Sequence, residues 1–230
     1  MIIGSISENK EYEKRVAVTP DVVNKYKNLG FEVHLIKNYA DHLGFHDKFF
    51  IEAGATIVND EKELISNSDI LIQIGLLNEN QLKLIKRNQI LVGSFNVHEN
   101  KNKIQELASN KINVFSLELL PRITRAQSMD ILSSQANLAG YKAVVESFSY
   151  FEKAIPMMMT AAGTVPAAKV LVVGAGVAGL QAIATAKRMG AIVFATDVRM
   201  ASKEQVESLG GKFLTVDGSE NLETEGGYAK

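Results

Sequence analysis

Short apolar runs alternate with amphipathic stretches through the first 120 residues. The runs are almost continuously apolar, which is typical of strands in a parallel sheet covered on both faces. They predict strands at residues 2–6, 31–36, 56–58, 70–74, 90–95 and 112–117. Thr19-Pro20 marks the start of a first helix, and Gly30 and Gly54 end the first two helices. Further helices are predicted at 62–66, 79–87 and 101–109. This pattern predicts a doubly wound α/β domain over residues 1–133.

A long helix is predicted to begin near Ser134 and to end at Pro156. Its apolar positions recur at helical spacing and form one stripe. They are Leu138, Tyr141, Val145, Phe148, Phe151 and Ile155. We interpret residues 134–166 as a bridging helix and linker between two domains, although a plain core helix would show the same pattern.

Residues 167–230 return to alternating strands and helices. Strands are predicted at 169–173, 191–196 and 213–216, with helices at 177–189 and 201–209. This βαβαβ order is one half of a dinucleotide-binding fold, and the remaining residues are polar and rich in glycine. The sequence therefore predicts an α/β protein with two doubly wound, Rossmann-like parallel sheets. The second sheet is expected to be incomplete because of a truncation at the C-terminus.

Composition narrows the classes of function. Apolar residues make up 46% of the chain, which suffices for a core, and the formal net charge of −1 offers no general attraction to nucleic acid. Cysteine is absent, so disulfides and thiolate metal sites are excluded, and the histidines show no metal-ligand spacing. No run approaches the roughly 18 apolar residues of a membrane span, so we expect a soluble chain without a metal site.

The clearest chemical motif is a G-x-G-x-x-G turn between a predicted strand and helix. It comprises Gly174, Ala175, Gly176, Val177, Ala178 and Gly179. The glycines permit a tight turn, approach of a pyrophosphate to the backbone and close helix packing. Asp197 follows the next strand, where an acidic side chain binds ribose hydroxyls and repels a 2′-phosphate. We therefore predict a site for NAD that also includes Val198 and Arg199, although an arginine there could pair with a phosphate.

A second polar cluster spans Arg122 to Ser133. Two arginines, a glutamine, an aspartate and a serine lie close together in the sequence. The guanidinium, amide and carboxylate groups of these side chains can hydrogen-bond to a nicotinamide carboxamide and its ribose. A polar connecting loop without a ligand is the alternative, and the residue types alone do not decide between the two.

These segments resemble the NAD(H)-binding component of proton-translocating nicotinamide nucleotide transhydrogenases. The resemblance is carried by residues 121–141, 157–166, 174–188 and 205–213. It implies that Arg122, Gln127, Asp130 and Ser133 line the nicotinamide end of the site, with Gln127 toward the NADP(H) of a partner. It also implies that Asp197 binds the adenosine ribose. Residues 226–229 resemble a mobile loop, whose tyrosine, here Tyr228, closes over the nucleotide.

The resemblance further implies an activity and a setting. The activity is direct hydride transfer from NADH on this chain to NADP⁺ on a separate component, coupled to proton translocation (Si-specific/Re-specific). A hydride passes between two nicotinamides, so the site needs to position them and requires no general acid or base. The implied partners are the NADP(H)-binding component, its membrane domain and a second copy of this chain. The implied location is peripheral, on the cytoplasmic side of the inner membrane.

Two alternatives remain from the sequence. Alanine dehydrogenase has the same architecture, and Arg15 and His98 match its early arginine and its catalytic histidine. The lysine that would face pyruvate is replaced by Gln73, and an amide cannot substitute for an ammonium group beside a carboxylate. The other alternative is a non-catalytic NAD-binding fragment, because the missing half of the cofactor fold leaves the isolated chain without activity.

Overall fold

The computed structural model describes residues 1–121 and 123–215. The chain divides into two compact units, unit 1 at Met1–Asp130 and unit 2 at Ile131–Lys230. Both units are α/β, as predicted, and both are built on parallel sheets. Among the described residues, no helix combines the length and the apolar character needed to span a bilayer.

Unit 1 contains a sheet of six parallel strands. They are β1 (Ile2–Ser5), β2 (Glu32–Ile36), β3 (Thr56–Val58), β4 (Ile70–Ile72), β5 (Ile90–Gly93) and β6 (Asn113–Ser116). Their order across the sheet is β3-β2-β1-β4-β5-β6, and every pair is parallel. The strand order reverses between β1 and β4, and ligands of such sheets bind outside the carboxyl ends of the strands at such a point.

Five helices connect these strands. They are α1 (Pro20–Asn28), α2 (Asp47–Glu52), α3 (Glu61–Asn67), α4 (Glu79–Leu82) and α5 (Lys101–Ser109). Gly30 and Gly54 follow the first two helices with φ of 87° and 95°, left-handed values that glycine adopts without strain. The predicted extension of the fourth helix to Arg87 is wrong. The N–H groups of Leu84 and Ile85 bond to carbonyls three residues back, so this segment forms tight turns and the helix ends.

Apolar side chains form two cores in unit 1. One core includes Val23 of α1, Leu35 of β2 and Phe50 of α2. The other packs α3 and α5 against β4 and β5 and includes Leu71 and Leu91. Both cores arise from the near-continuously apolar strands, and they hold the strand ends in fixed positions.

Unit 2 begins with the long helix α6 (Ile131–Tyr150). It starts three residues before the predicted position and ends six residues before Pro156. The predicted apolar stripe is only partly packed, because Phe148 and Ile155 pack against the core of unit 2 whereas Leu138 and Tyr141 are 60% and 51% exposed. The buried residues are instead Gly140 and Val144, and this face packs against α7 (Val177–Arg188).

A short hairpin follows in the segment that we interpreted as a linker. Its strands are β7 (Met158–Thr160) and β8 (Gly163–Val165), which pair antiparallel. Gly163 has φ of 137° at the turn, a backbone conformation that favours glycine. The hairpin was not predicted, because the residues of both strands are exposed and show no pattern of buried and exposed positions.

The rest of unit 2 forms the predicted βαβαβ arrangement. Its elements are β9 (Lys169–Val173), α7, β10 (Ile192–Thr196), α8 (Ser202–Ser208) and β11 (Lys212–Phe213). The strands are parallel in the order β11-β10-β9, with the first strand at one side, as in a mononucleotide-binding half. Within the described part of the chain β9 pairs with β10 alone, and the side chain of Val173 is 77% exposed. The predicted strand residue Val216 lies outside the described residues.

Candidate functional site

The glycine turn of unit 2 joins β9 to α7. Gly174 follows the strand with φ of 93°, a left-handed value that reverses the chain, and the helix begins at Val177. Gly179 lies against the turn, since a Cβ atom there would be 1.8 Å from the carbonyl oxygen of Gly174. These two glycines therefore have the mechanical roles that the motif predicts.

Gly176 has a different environment. A Cβ atom at this position would meet no heavy atom of residues 1–121 and 123–215 within 4 Å, and its φ of −77° is open to any residue. Neither packing nor backbone conformation in the described structure requires glycine here. Gly176 is the residue before α7, and no side chain in the described part of the chain caps the helix. Open space beside uncapped N–H groups suits a phosphate, because these groups and the helix dipole attract negative charge.

Asp197 lies one residue beyond β10 and is directed back toward the glycine turn. The N–H of Ala175 donates a hydrogen bond of 2.6 Å to Oδ2 of Asp197. The carboxyl ends of the two neighbouring strands therefore meet at this side chain. In the described structure, the glycine motif and the acidic residue after the next strand are thus joined by a hydrogen bond.

Arg199 forms an ion pair with Asp197. Its Nε donates to Oδ1 at 2.9 Å and its Nη2 donates to Oδ2 at 3.0 Å, while its backbone N–H donates to Oδ1 at 2.8 Å. This guanidinium lowers the pKa of Asp197 to about 2, so the carboxylate is ionised at neutral pH. Both side chains are largely shielded from solvent, at 21% and 6% exposure for Arg199 and Asp197. Val198, between them, is exposed.

The residues predicted at the nicotinamide end are divided between the two units. Gln127 lies exposed on a 3-10 helix at Thr124–Met129, and partly buried Asp130 directly follows it in unit 1. Ser133 lies in the first turn of α6 in unit 2. Ala126 of this 3-10 helix is buried. Arg122 and Tyr228 lie outside the described residues.

Unit 1 contains a buried polar network that the sequence did not reveal. The hydroxyl of Tyr39 accepts from the N–H groups of Ala17 and Val18 at 3.1 Å and lies 2.9 Å from the Oγ of Ser5. A hydroxyl accepts two hydrogen bonds and donates one, so Tyr39 is fully satisfied by donating to Ser5. Burial raises the pKa of Tyr39 to about 12, which keeps it protonated. The only sign of this network in the sequence is Ser5, a polar residue at the end of an apolar strand.

Gln73 extends this network at the carboxyl end of β4. Its Oε1 accepts from the N–H of Ile6 at 2.8 Å and lies 3.0 Å from the Oγ of Ser5. Its Nε2 donates to the carbonyl of Ile6 at 3.2 Å and to Glu8 at 3.4 Å. The amide is 3% exposed and has hydrogen bonds at both ends. Gln73 is thus part of the internal structure of unit 1.

Glu8 and Arg15 bear on the alternative of an oxo-acid site in unit 1. Glu8 accepts from the N–H of Ile74 at 2.6 Å and of Gly75 at 3.3 Å, and burial raises its pKa. The guanidinium of Arg15 forms a two-point contact with Glu13, at 2.9 and 2.6 Å. The guanidinium of Arg15 is therefore engaged by a carboxylate, and the Gln73 amide beside Glu8 offers no positive charge for an oxo acid, which argues against alanine dehydrogenase.

No metal centre is formed by the described residues. Within 1–121 and 123–215, His, Cys, Asp and Glu side chains do not gather in groups of three or more that could hold an ion. The polar groups at the glycine turn are backbone N–H groups, a carboxylate and a guanidinium. These groups suit the phosphates and hydroxyls of a nucleotide.

The fold and the glycine turn define the class: a Rossmann-like α/β protein with the features of a dinucleotide site. The sequence comparisons identify the family. Residues 4–139 match the model described as "Alanine dehydrogenase/PNT, N-terminal domain", and residues 143–227 match the corresponding C-terminal domain. The chain belongs to the alanine dehydrogenase/PNT family, which confirms the resemblance found in the sequence.

Among the compared relatives, the transhydrogenase chains are more similar to this one than the alanine dehydrogenases are. It is 50% identical to an NAD(P) transhydrogenase subunit alpha chain of Rhodospirillum rubrum, over 100% of this chain and 62% of that protein. The structure of the transhydrogenase from Sinorhizobium meliloti matches with a TM-score of 0.88 and 44% identity, covering 94% of this chain and 64% of that one. An L-alanine dehydrogenase structure matches with a TM-score of 0.78 and 21% identity, over 94% of this chain and 61% of that one, and shows the shared fold alone. The chain spans about three-fifths of the length of these relatives.

Proposed function

We propose that this chain is the NAD(H)-binding component of a proton-translocating transhydrogenase. The observation that carries the proposal is the hydrogen bond between Ala175 and Asp197, which joins the glycine turn to the acidic residue after the next strand. The similarity to transhydrogenase alpha subunits supports it. The engaged amide of Gln73 and the carboxylate of Glu8 favour it over an oxo-acid dehydrogenase.

The residues of unit 2 have distinct roles in the proposed site. Gly174, Gly176 and Gly179 shape the turn that admits the pyrophosphate, and the N–H groups of Val177 and Ala178 at the start of α7 face it. Asp197 binds the adenosine ribose through its carboxylate, with Val198 and Arg199 beside it. Asp197 also disfavours a 2′-phosphate by charge repulsion, so NAD(H) binds in preference to NADP(H).

The nicotinamide end completes the proposed site. Arg122, Gln127, Asp130 and Ser133 hold the nicotinamide and its ribose, and Tyr228 closes over the nucleotide. A hydride leaves C4 of NADH and bonds to C4 of NADP⁺ on the partner component, which yields NAD⁺ and NADPH. The chain contributes binding and orientation to this step, and no side chain needs to exchange a proton with the ring.

The proposal includes an assembly. NADP(H) binds to a separate component that is connected to a membrane domain, and this chain associates with them on the cytoplasmic side of the inner membrane as a homodimer. The names of the relatives, which describe a subunit alpha, support a complex of several components. Sedimentation of the purified chain tests the homodimer, and co-purification with the NADP(H)-binding component tests the complex.

The first experiment is a fluorescence titration with NADH, with NADPH as the control nucleotide. Gly176→Ala places a methyl group beside α7 without a clash with any residue that the structure describes. We expect it to weaken NADH binding roughly tenfold, the equivalent of losing one charge-assisted hydrogen bond. Gly75→Ala is the matched control, since its Cβ atom would lie 3.5 Å from the nearest atom, in unit 1. Equal NADH affinity in both variants would exclude this turn as the pyrophosphate site.

A second experiment tests the reaction. NADH carrying deuterium at C4 is mixed with the chain, the NADP(H)-binding component and NADP⁺, and the NADPH is analysed by mass spectrometry. Direct transfer places deuterium in NADPH, whereas exchange with solvent dilutes it. If the mixture binds both nucleotides but forms no labelled NADPH, the chain is a nucleotide-binding module without transhydrogenase activity.

A further inference from the structure

The carboxylate of Asp197 is saturated with hydrogen bonds in the described structure. A carboxylate offers about four acceptor positions, two on each oxygen. Oδ1 accepts from the backbone N–H and the Nε of Arg199, and Oδ2 accepts from Arg199 Nη2 and from the N–H of Ala175. Every acceptor position is therefore used by the protein itself, and a ribose hydroxyl finds none available until one of these donors leaves.

The four donors differ in how easily they can leave. Two are backbone N–H groups, fixed by the turn after β9 and by the chain after β10. The other two belong to the guanidinium of Arg199, which can rotate away about its side-chain bonds while the backbone stays in place. These two donors place one N–H on each carboxylate oxygen. The 2′- and 3′-hydroxyls of a ribose form a vicinal diol that can likewise donate one hydrogen bond to each oxygen of a carboxylate.

We infer that the Arg199 guanidinium occupies the position that the ribose diol takes at Asp197 and must be displaced before the adenosine ribose binds. The inference deepens the proposed function and rests on it. The ligand is a nucleoside with free 2′- and 3′-hydroxyls, and the competing group is internal to the chain. Arg199 thereby lowers the affinity for NADH. It also reduces discrimination against NADPH, because a displaced cation beside the ribose attracts a 2′-phosphate.

The experiment compares Arg199→Met with the wild-type chain in NADH and NADPH titrations. Methionine retains much of the side-chain length and removes every donor and the charge. Removal of the competing ion pair is expected to raise NADH affinity roughly three- to tenfold, the scale of a half-buried two-point contact. NADPH affinity should gain less or fall, so the preference for NADH increases. Arg188→Met, at the exposed C-terminal end of α7, controls for the loss of one positive charge.

A third ligand separates competition from a general structural effect. NADH that lacks the adenosine 2′-hydroxyl can replace only one of the two arginine donors, so its gain from Arg199→Met should be smaller than that of NADH. A variant that merely loosened unit 2 would change both affinities by the same factor. Arg199→Lys should lie between the two proteins, because lysine keeps the charge without the planar fork.

The outcomes distinguish this inference from the proposal on which it depends. Tighter NADH binding by Arg199→Met, with a smaller gain for the 2′-deoxy ligand, supports the displaced arginine. Unchanged NADH binding would show that Arg199 does not compete with the ribose, and weaker binding would show that Arg199 holds Asp197 in place for the ribose. Either result would overturn the inference, with the NAD(H) site intact. Failure of both proteins to bind NADH would overturn the proposed function itself, and the inference with it.

Discussion

Gly140 is the position where a single methyl group should test the packing beneath the glycine turn. It lies in α6, and a Cβ atom there would be 2.0 Å from the carbonyl oxygen of Ala178 and 2.8 Å from its carbonyl carbon. Carbon–oxygen contacts normally lie at about 3.3 Å or more, so α6 and α7 would have to separate by roughly 1 Å. The atoms involved belong to the backbone, so no side-chain rotation relieves the contact.

The magnitude follows from two opposed terms. Overpacking of this kind costs about 1–3 kcal/mol, and a clash with backbone belongs at the upper end. Alanine regains about 1 kcal/mol of helix propensity over glycine. We therefore expect Gly140→Ala to lower the free energy of unfolding by about 2 kcal/mol, which corresponds to roughly 10 °C in Tm for a unit of this size. Ala178 lies in the first turn of α7, so NADH affinity should fall as well.

Thermal unfolding followed by circular dichroism, together with the NADH titration, measures both effects. Ser149→Ala, at an exposed position near the end of α6, provides the control and should change stability by less than about 0.5 kcal/mol. A Gly140→Ala variant that is as stable as the wild type, or more stable by the helix-propensity gain, would refute the reasoning. It would mean that the two helices separate without cost and that this glycine is not needed for their packing.

Three further predictions concern Asp197 and Tyr39. Asp197→Ala should weaken NADH binding and reduce the preference for NADH over NADPH in the same titrations. An unchanged preference for NADH would exclude Asp197 as the ribose ligand. The pKa of Asp197 is lowered to about 2 from an ordinary 3.8, which stabilises the fold by about 2 kcal/mol above pH 4. This contribution is lost as the pH falls through 2. Urea unfolding of the wild type and of Asp197→Asn, from pH 5 downward, measures the loss. Tyr39→Phe removes the acceptor of two backbone N–H groups and should cost about 1–3 kcal/mol in urea unfolding, whereas Tyr12→Phe, at an exposed position, should cost nothing measurable. A Tyr39→Phe variant with wild-type stability would show that those N–H groups find other partners.

Local signals in the sequence were enough for most of the fold. Near-continuous apolar runs predict buried parallel strands because both faces of such a strand are covered, and glycines mark the ends of helices where φ must be positive. The glycine turn and Asp197 were also predictable, since their spacing reflects the fixed length of a strand–helix–strand unit. The strand order and the depth of the buried network at Tyr39 were not, because they depend on contacts between distant residues.

The helix α6 shows where a periodic pattern fails. Its apolar residues predicted a packed stripe through Leu138 and Tyr141, and these side chains are exposed in the described structure. The packed face contains Gly140 instead, because the backbone of Ala178 approaches too closely for any side chain. Hydrophobic spacing measures how much apolar surface a helix offers, and a glycine contributes nothing to that measure. Which face a partner helix contacts is decided by how closely the two backbones can approach.

The sequence by itself determined the class of this protein. The kinds of residue, their spacing and the turn after β9 specify a parallel α/β fold, a dinucleotide motif and a family. Only the tertiary structure decided the state of the site, because the contacts of Asp197 with Ala175 and Arg199 depend on the relative positions of two strand ends. Spacing along a chain reports local geometry, whereas the saturation of one carboxylate depends on which donors the folded backbone brings to it.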